Sequence, residues 1–128
     1  MNDKNKLEKI NIEEYGDNEL RLQVLQRVTD EYNNFIDSLY QMYPKEIVSN
    51  ADEKAYKEEM VDFLKKNEFT DEEYQLMLER ERILGTFYLD VLFYRKNKDD
   101  YLLEYAFKDT LNDLRNDPRR NKKDMERE

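Results

Sequence analysis

The chain has no cysteine, no histidine and no tryptophan, and only 2 Gly and 2 Pro interrupt its 128 residues. Each absence removes a class of function. Without Cys there is no disulfide framework, thiol nucleophile, Cys-ligated zinc or iron–sulfur cluster. Without His there is no Ser-His-Asp triad, no HExxH metalloprotease and no imidazole switch near neutral pH. The longest mostly apolar stretch, Ile83 to Tyr94, covers 12 residues and contains Asp90. A bilayer span needs ~20, so no membrane partner is expected. The opening residues, MNDKNKLEKINIEE, have no apolar core of the kind a secretory signal requires, and the cytoplasm is the expected compartment. No EF-hand loop, Gly-rich phosphate loop or dinucleotide fingerprint is present, and no cofactor is expected.

Charge and tyrosine fill the space these absences leave. Lys and Arg number 22 against 31 Asp and Glu, a net charge of -9, and there are 10 Tyr and 6 Phe. A 41% charged fraction favours disorder when apolar residues are scattered. Here they recur at helical spacing, so the expectation is an all-α single small bundle of about four to five helices. Long charged side chains would cover the rim of a small core.

Residues 1–16 read as a flexible arm able to dock through Leu7, Ile10 and Ile12. Residues 17–115 read as the helical domain. Asp17 or Asn18 suits the N-cap of a first helix, whose inner face carries Leu25, Val28, Tyr32, Phe35, Ile36 and Leu39. Pro44 ends that helix and can open the next. The second would turn Ile47, Ala51, Ala55, Met60, Val61, Phe63 and Leu64 inward and stop near Lys65-Lys66-Asn67. Phe69-Thr70-Asp71-Glu72-Glu73-Tyr74 is a capping box with a hydrophobic staple, Phe69 on Tyr74. Tyr74, Met77 and Leu78 then point inward. Gly85 either ends that helix or lies inside a longer one; the immediate return of the apolar pattern favours continuity or a kink. Leu89, Val91, Leu92 and Phe93 read as the most buried segment. Leu103, Ala106, Phe107, Thr110, Leu111 and Leu114 form a last stripe, stopped by Asn116-Asp117-Pro118. Residues 116–128 read as a disordered charged tail.

Carboxylates are the abundant candidates for chemistry. Glu59-Asp62 and Glu68-Asp71 fit the ExxD half of the magnesium site of all-helical nucleotide pyrophosphatases, but the ExxE half is missing. A non-enzymatic protein is therefore expected, with no catalytic or metal-binding residues. The position of the charge is more informative. Residues 1–45 have net charge -3, residues 46–81 have -7, residues 82–115 have 0 and the tail has +1. Acids on adjacent helical turns lie ~5–6 Å apart at Cβ, comparable to the phosphate spacing of a nucleic-acid strand. Such a surface suits a basic partner and steers its association. Glu58, Glu59, Asp62, Glu72, Glu73 and Glu79 are the expected partner-binding residues. Direct nucleic-acid binding is not expected, because no basic stripe exists outside the tail. The surplus of Tyr opens an alternative: an adaptor or regulatory protein acting through a Tyr-rich apolar surface, as a monomer or a homodimer.

Residues 25–115 resemble a family of short helical proteins of uncharacterised function. These are carried on phages and conjugative elements of low-GC Gram-positive bacteria. The resemblance rests on Tyr32, Phe35 and Leu39, then Pro44, Glu46, Ile47 and Ala51. It continues through Lys57-Glu58-Glu59, Thr70-Asp71-Glu72-Glu73 and the aromatic stretch from Tyr88 to Leu92. It implies a mobile-element accessory protein in a bacterial cytoplasm. With the acidic charge, it implies an inhibitor of a host defence or nucleic-acid-handling protein, such as an anti-CRISPR or anti-restriction nucleic-acid mimic.

Overall fold

A computed structural model describes residues 6–41, 45, 50–97 and 103–118. They form an all-helical bundle with one single-turn helix, α1 (Ile12–Tyr15), and five longer ones. These are α2 (Glu19–Tyr40), α3 (Ala51–Lys66), α4 (Asp71–Leu78), α5 (Ile83–Asn97) and α6 (Leu103–Arg115). The expected helix start at Pro44, the inward turn of Ile47 and the charged tail beyond Pro118 lie outside the described residues.

Helix α2 is the axis on which α3, α4 and α5 pack. Its N-cap is Asn18, whose Oδ1 accepts the Leu20 and Arg21 N–H groups at 3.0 and 3.3 Å. Val24, Leu25, Val28, Tyr32, Ile36 and Leu39 are its buried face. The capping box of α4 forms as its residues dictate. Glu73 N–H donates to Thr70 Oγ1 at 3.1 Å, and Thr70 N–H donates to Glu73 Oε1 at 2.9 Å. Phe69 meets the Tyr74 ring edge-on at 5.8 Å and donates its N–H to the Tyr74 hydroxyl at 3.0 Å. Helix α6 buries Ala106, Phe107, Thr110 and Leu111 against α4 and α5.

Three expectations are corrected. Gly85 neither ends nor kinks a long helix. Helix α4 stops at Leu78, and α5 starts afresh at Ile83. Both new ends are capped from α2. Arg27 donates to the carbonyls of Leu78, Arg80 and Glu81 at 2.8, 2.5 and 3.1 Å. Glu31 accepts the Leu84 and Gly85 N–H groups at 2.9 Å each. A carboxylate at a helix N-terminus and a guanidinium at a C-terminus both oppose the helix dipole. Gly85 suits its place in the first turn: a Cβ there would lie 3.3 Å from Arg82 Cβ and 3.7 Å from the Glu31 carboxylate.

The segment expected to be most buried is instead amphipathic. Ile83, Leu84, Phe87 and Val91 are buried, but Leu89 is 72% and Phe93 51% exposed. The start at Ile83 sets the helical phase, and that phase turns Leu89 and Phe93 outward. Finally, Ala51, Ala55 and Ile12 face solvent. On α3, Lys57 takes the inner position. Its ammonium pairs with Glu53 at 2.7 Å and lies 4.3 Å from the Phe35 ring centroid, with its stem buried.

Burial, with the nearby Glu58 carboxylate, raises the Tyr32 pKa above its ordinary value. Burial also raises Tyr74, and burial with Glu53 raises Tyr88. The folded state thus holds these phenolic protons to higher pH than the unfolded chain, whose tyrosines ionise near pH ~10. Their contribution is fully present below that pH and is lost as pH rises through the folded values. With no His or Cys, few groups titrate between about pH 6 and 9. Thermal melts are expected to be flat across that window and to fall above it, together with the rise of tyrosinate absorbance. A fall already at neutral pH would contradict this.

Candidate partner-binding surface

Three of the six expected partner-binding residues lie together. Glu58, Glu59 and Asp62 are exposed and follow one another at i, i+1 and i+4 on α3. They border a groove of about 410 Å³ whose other walls are Leu7, Ala55, Val61 and Lys65. Leu7 reaches it from the N-terminal arm because α2 holds that segment by its backbone. Leu7 N–H donates to Asn33 Oδ1 at 2.8 Å, and Asn33 Nδ2 donates to the Leu7 carbonyl at 3.0 Å. Lys6 adds an ion pair with Asp37 at 2.6 Å. The groove is therefore lined by apolar side chains, three carboxylates and Lys65 together.

The three carboxylates are only loosely engaged. Glu58 Oε2 lies 3.5 Å from both Lys54 Nζ and the Tyr32 hydroxyl, the outer limit of a hydrogen bond. Asp62 pairs with Lys66 at 2.8 Å, but both side chains are more than half exposed, so the pair is worth little and exchanges easily. Glu59 makes no ion pair or hydrogen bond among the described residues.

Glu72, Glu73 and Glu79 do not line this groove. Glu72 accepts from Arg115 Nε and Nη2 at 3.1 and 2.9 Å, joining α4 to α6. That hydrogen bond raises the Arg115 pKa. Glu73 closes the capping box. Glu79 is the C-cap of α4, and its N–H donates to the Gln75 carbonyl at 3.1 Å. Nearby acids are also engaged: Glu68 with Arg21 at 3.5 Å, and Asp71 with Asn18 Nδ2 at 3.1 Å. The acids of residues 67–81 largely stabilise the start of α4 and its junctions.

Among the described residues, no three acidic side chains gather so as to hold a metal ion. Glu68 and Asp71 of the second ExxD lie near Arg21 of α2 and Asn18 of its cap. A larger cleft of about 500 Å³ is lined by Arg27, Glu31 and Lys57 among others. Those three already cap helices or form the inner ion pair. Among the described residues, no helix is long and apolar enough to cross a membrane.

Leu7, Ala55, Val61 and Lys65 were not legible as groove residues. Leu7 was legible as a docking residue, but the Asn33 clamp that places it joins residues 26 positions apart. No local pattern carries that information. Comparison of the chain with protein-family models, with curated proteins and with solved structures returns no match.

Proposed function

We propose that this chain is a non-enzymatic, mobile-element-encoded inhibitor. In this reading it binds a basic surface on a host defence or nucleic-acid-handling protein, such as a CRISPR effector or a restriction enzyme. The observation that carries the reading is the α3 face: three exposed, weakly engaged carboxylates that share a groove with apolar side chains. Loosely held acids are free to exchange onto incoming Lys or Arg, at little cost to the fold. A groove lined in part by Leu7, Ala55 and Val61 offers apolar contact beside that charge, which a solvated acidic face alone lacks. The mimicry lies in the carboxylate spacing, and the long-range field of a chain with net charge -9 favours encounter with positive partners. Glu72, Glu73 and Glu79 contribute to that field rather than to direct contact.

The test is a plasmid-cleavage assay with a panel of CRISPR nucleases and restriction endonucleases. The wild-type chain is compared with Glu58→Lys/Glu59→Lys/Asp62→Lys at low and high salt. Wild type is expected to inhibit at least one enzyme, and the triple variant to be weaker by about tenfold or more, roughly 1.4 kcal/mol. Rising salt should narrow the gap. Inhibition that ignores both the reversal and the salt would sink the electrostatic reading.

A further inference from the structure

The N-terminal arm sits on α2 as a bound peptide does. Residues 7–10 form no helix or strand. Asn33 meets Leu7 with both ends of its carboxamide, accepting the Leu7 N–H at 2.8 Å and donating to the Leu7 carbonyl at 3.0 Å. That pair of bonds reads the backbone of one residue whatever its side chain. Side chains supply the selection. Lys6 pairs at 2.6 Å with Asp37, one turn further along α2, and Leu7 and Ile10 pack half-buried against the edge of the core. The seat therefore takes a basic residue, a large apolar residue directly after it, and a second apolar residue three further on.

The arm is an imperfect match for this seat. Its ion pair joins side chains that are 30% and 49% exposed, so it is worth little. Leu7 borders the same groove as Glu58, Glu59 and Asp62, which puts the next position within a long side chain's reach of three carboxylates. The arm places an acid there, Glu8, which is exposed and makes no ion pair among the described residues. A segment with Lys or Arg on both sides of the apolar residue meets Asp37 and the α3 carboxylates at once, and so outmatches the arm.

We infer that Asn33 and Asp37, with the α3 carboxylates, form a binding site for a non-helical basic–apolar–basic segment of the partner, and that the chain's own arm occupies this site until it is displaced. The inference rests on the α3 face as the partner surface and names the element that the surface takes. The arm competes as a tethered ligand, and short flexible tethers give effective concentrations on the order of millimolar. Only a better-matched segment displaces it, so the arm screens out weakly basic chains.

Fluorescence anisotropy with a labelled peptide of residues 4–12 carrying Glu8→Lys tests this on the full chain. The Lys6→Glu/Leu7→Asp chain, whose own arm no longer matches the seat, is expected to bind the peptide about tenfold or more tighter than wild type. Asn33→Leu releases the arm as well but lacks the clamp, and is expected to bind no tighter than wild type. An unlabelled peptide of the natural arm sequence should compete less well than the Glu8→Lys peptide, by a gap that salt narrows. Helical circular dichroism should be unchanged, because Lys6 and Leu7 lie outside the helices and Asn33 is half-buried. Equal binding by wild type and Lys6→Glu/Leu7→Asp overturns the proposal, and so does tight binding by Asn33→Leu. A wild-type dimer in sedimentation that Lys6→Glu/Leu7→Asp abolishes would make a second copy's arm the occupant, and also overturns it. Peptide binding of the expected pattern with no nuclease inhibited would sink the proposed function alone.

Discussion

Replacing Phe107 with Ala is expected to lower folding stability by about 3–5 kcal/mol, the range for deleting a buried aromatic ring. Phe107 is 1% exposed and joins rings from three other segments. It stacks on Phe87 at 4.4 Å, tilts against Phe63 at 4.9 Å and lies 6.1 Å from Phe69. Those contacts tie α6 to α3, to the turn before α4 and to α5. The cavity cannot close easily, because Phe87 is held by α5 and Phe69 by its hydrogen bond to Tyr74. Domains of this size have total stabilities of about 5–15 kcal/mol, so the loss is a large fraction. Urea unfolding of Phe107→Ala should show a lower midpoint at unchanged slope. Phe107→Leu should recover much of the loss. A cost below about 1 kcal/mol for the Ala variant would mean that the ring cluster is loosely packed.

Arg21→Met is expected to cost about 1–3 kcal/mol, because it leaves two partly buried carbonyls without their charged donor. The Arg21 Nη2 donates to the Lys65 carbonyl at 2.8 Å, at the C-terminus of α3. Its Nη1 donates to the Tyr15 carbonyl at 3.1 Å, and its guanidinium lies 5.7 Å from the Tyr15 ring centroid. One side chain thus closes α3 and fastens α1. Its Nε is buried without an acceptor, which lowers the net gain and keeps the expected loss at the stated size. Met preserves most of the volume, so the effect reports on hydrogen bonding rather than on a cavity. Arg21→Lys restores the charge but not the forked donor geometry, and should recover less than half. Amide exchange should quicken first in α1 and the last turn of α3. A near-neutral Arg21→Met would contradict the capping role.

How much of this was legible in the sequence follows from where each signal resides. The buried face of α2, the Thr70–Glu73 capping box and the stripe of α6 are written within one or two turns, and all three form. The break at residues 79–82 is not local. It depends on Arg27 and Glu31, more than 50 residues away in sequence, reaching across to cap two helix ends. Leu89 and Phe93 look buried because they are apolar, but the helical phase set at Ile83 turns them out. Lys57 looks exposed because it is charged, but its stem and two aromatic rings make an inner position for it. The candidate surface divides in the same way. Glu58, Glu59 and Asp62 were legible from helical spacing. Glu73 carried two signals at once, a cap and an acidic surface residue, and in the fold its carboxylate is engaged by the cap.

Capture from a bacterial lysate on the immobilised chain tests the central claim most directly, with three baits run side by side. The account predicts that wild type retains a basic protein which high salt releases. It predicts that Glu58→Lys/Glu59→Lys/Asp62→Lys does not retain it, while Leu89→Glu/Phe93→Glu still does. Retention that withstands both salt and the charge reversal, and is lost instead with Leu89 and Phe93, would contradict the acidic α3 face as the binding surface.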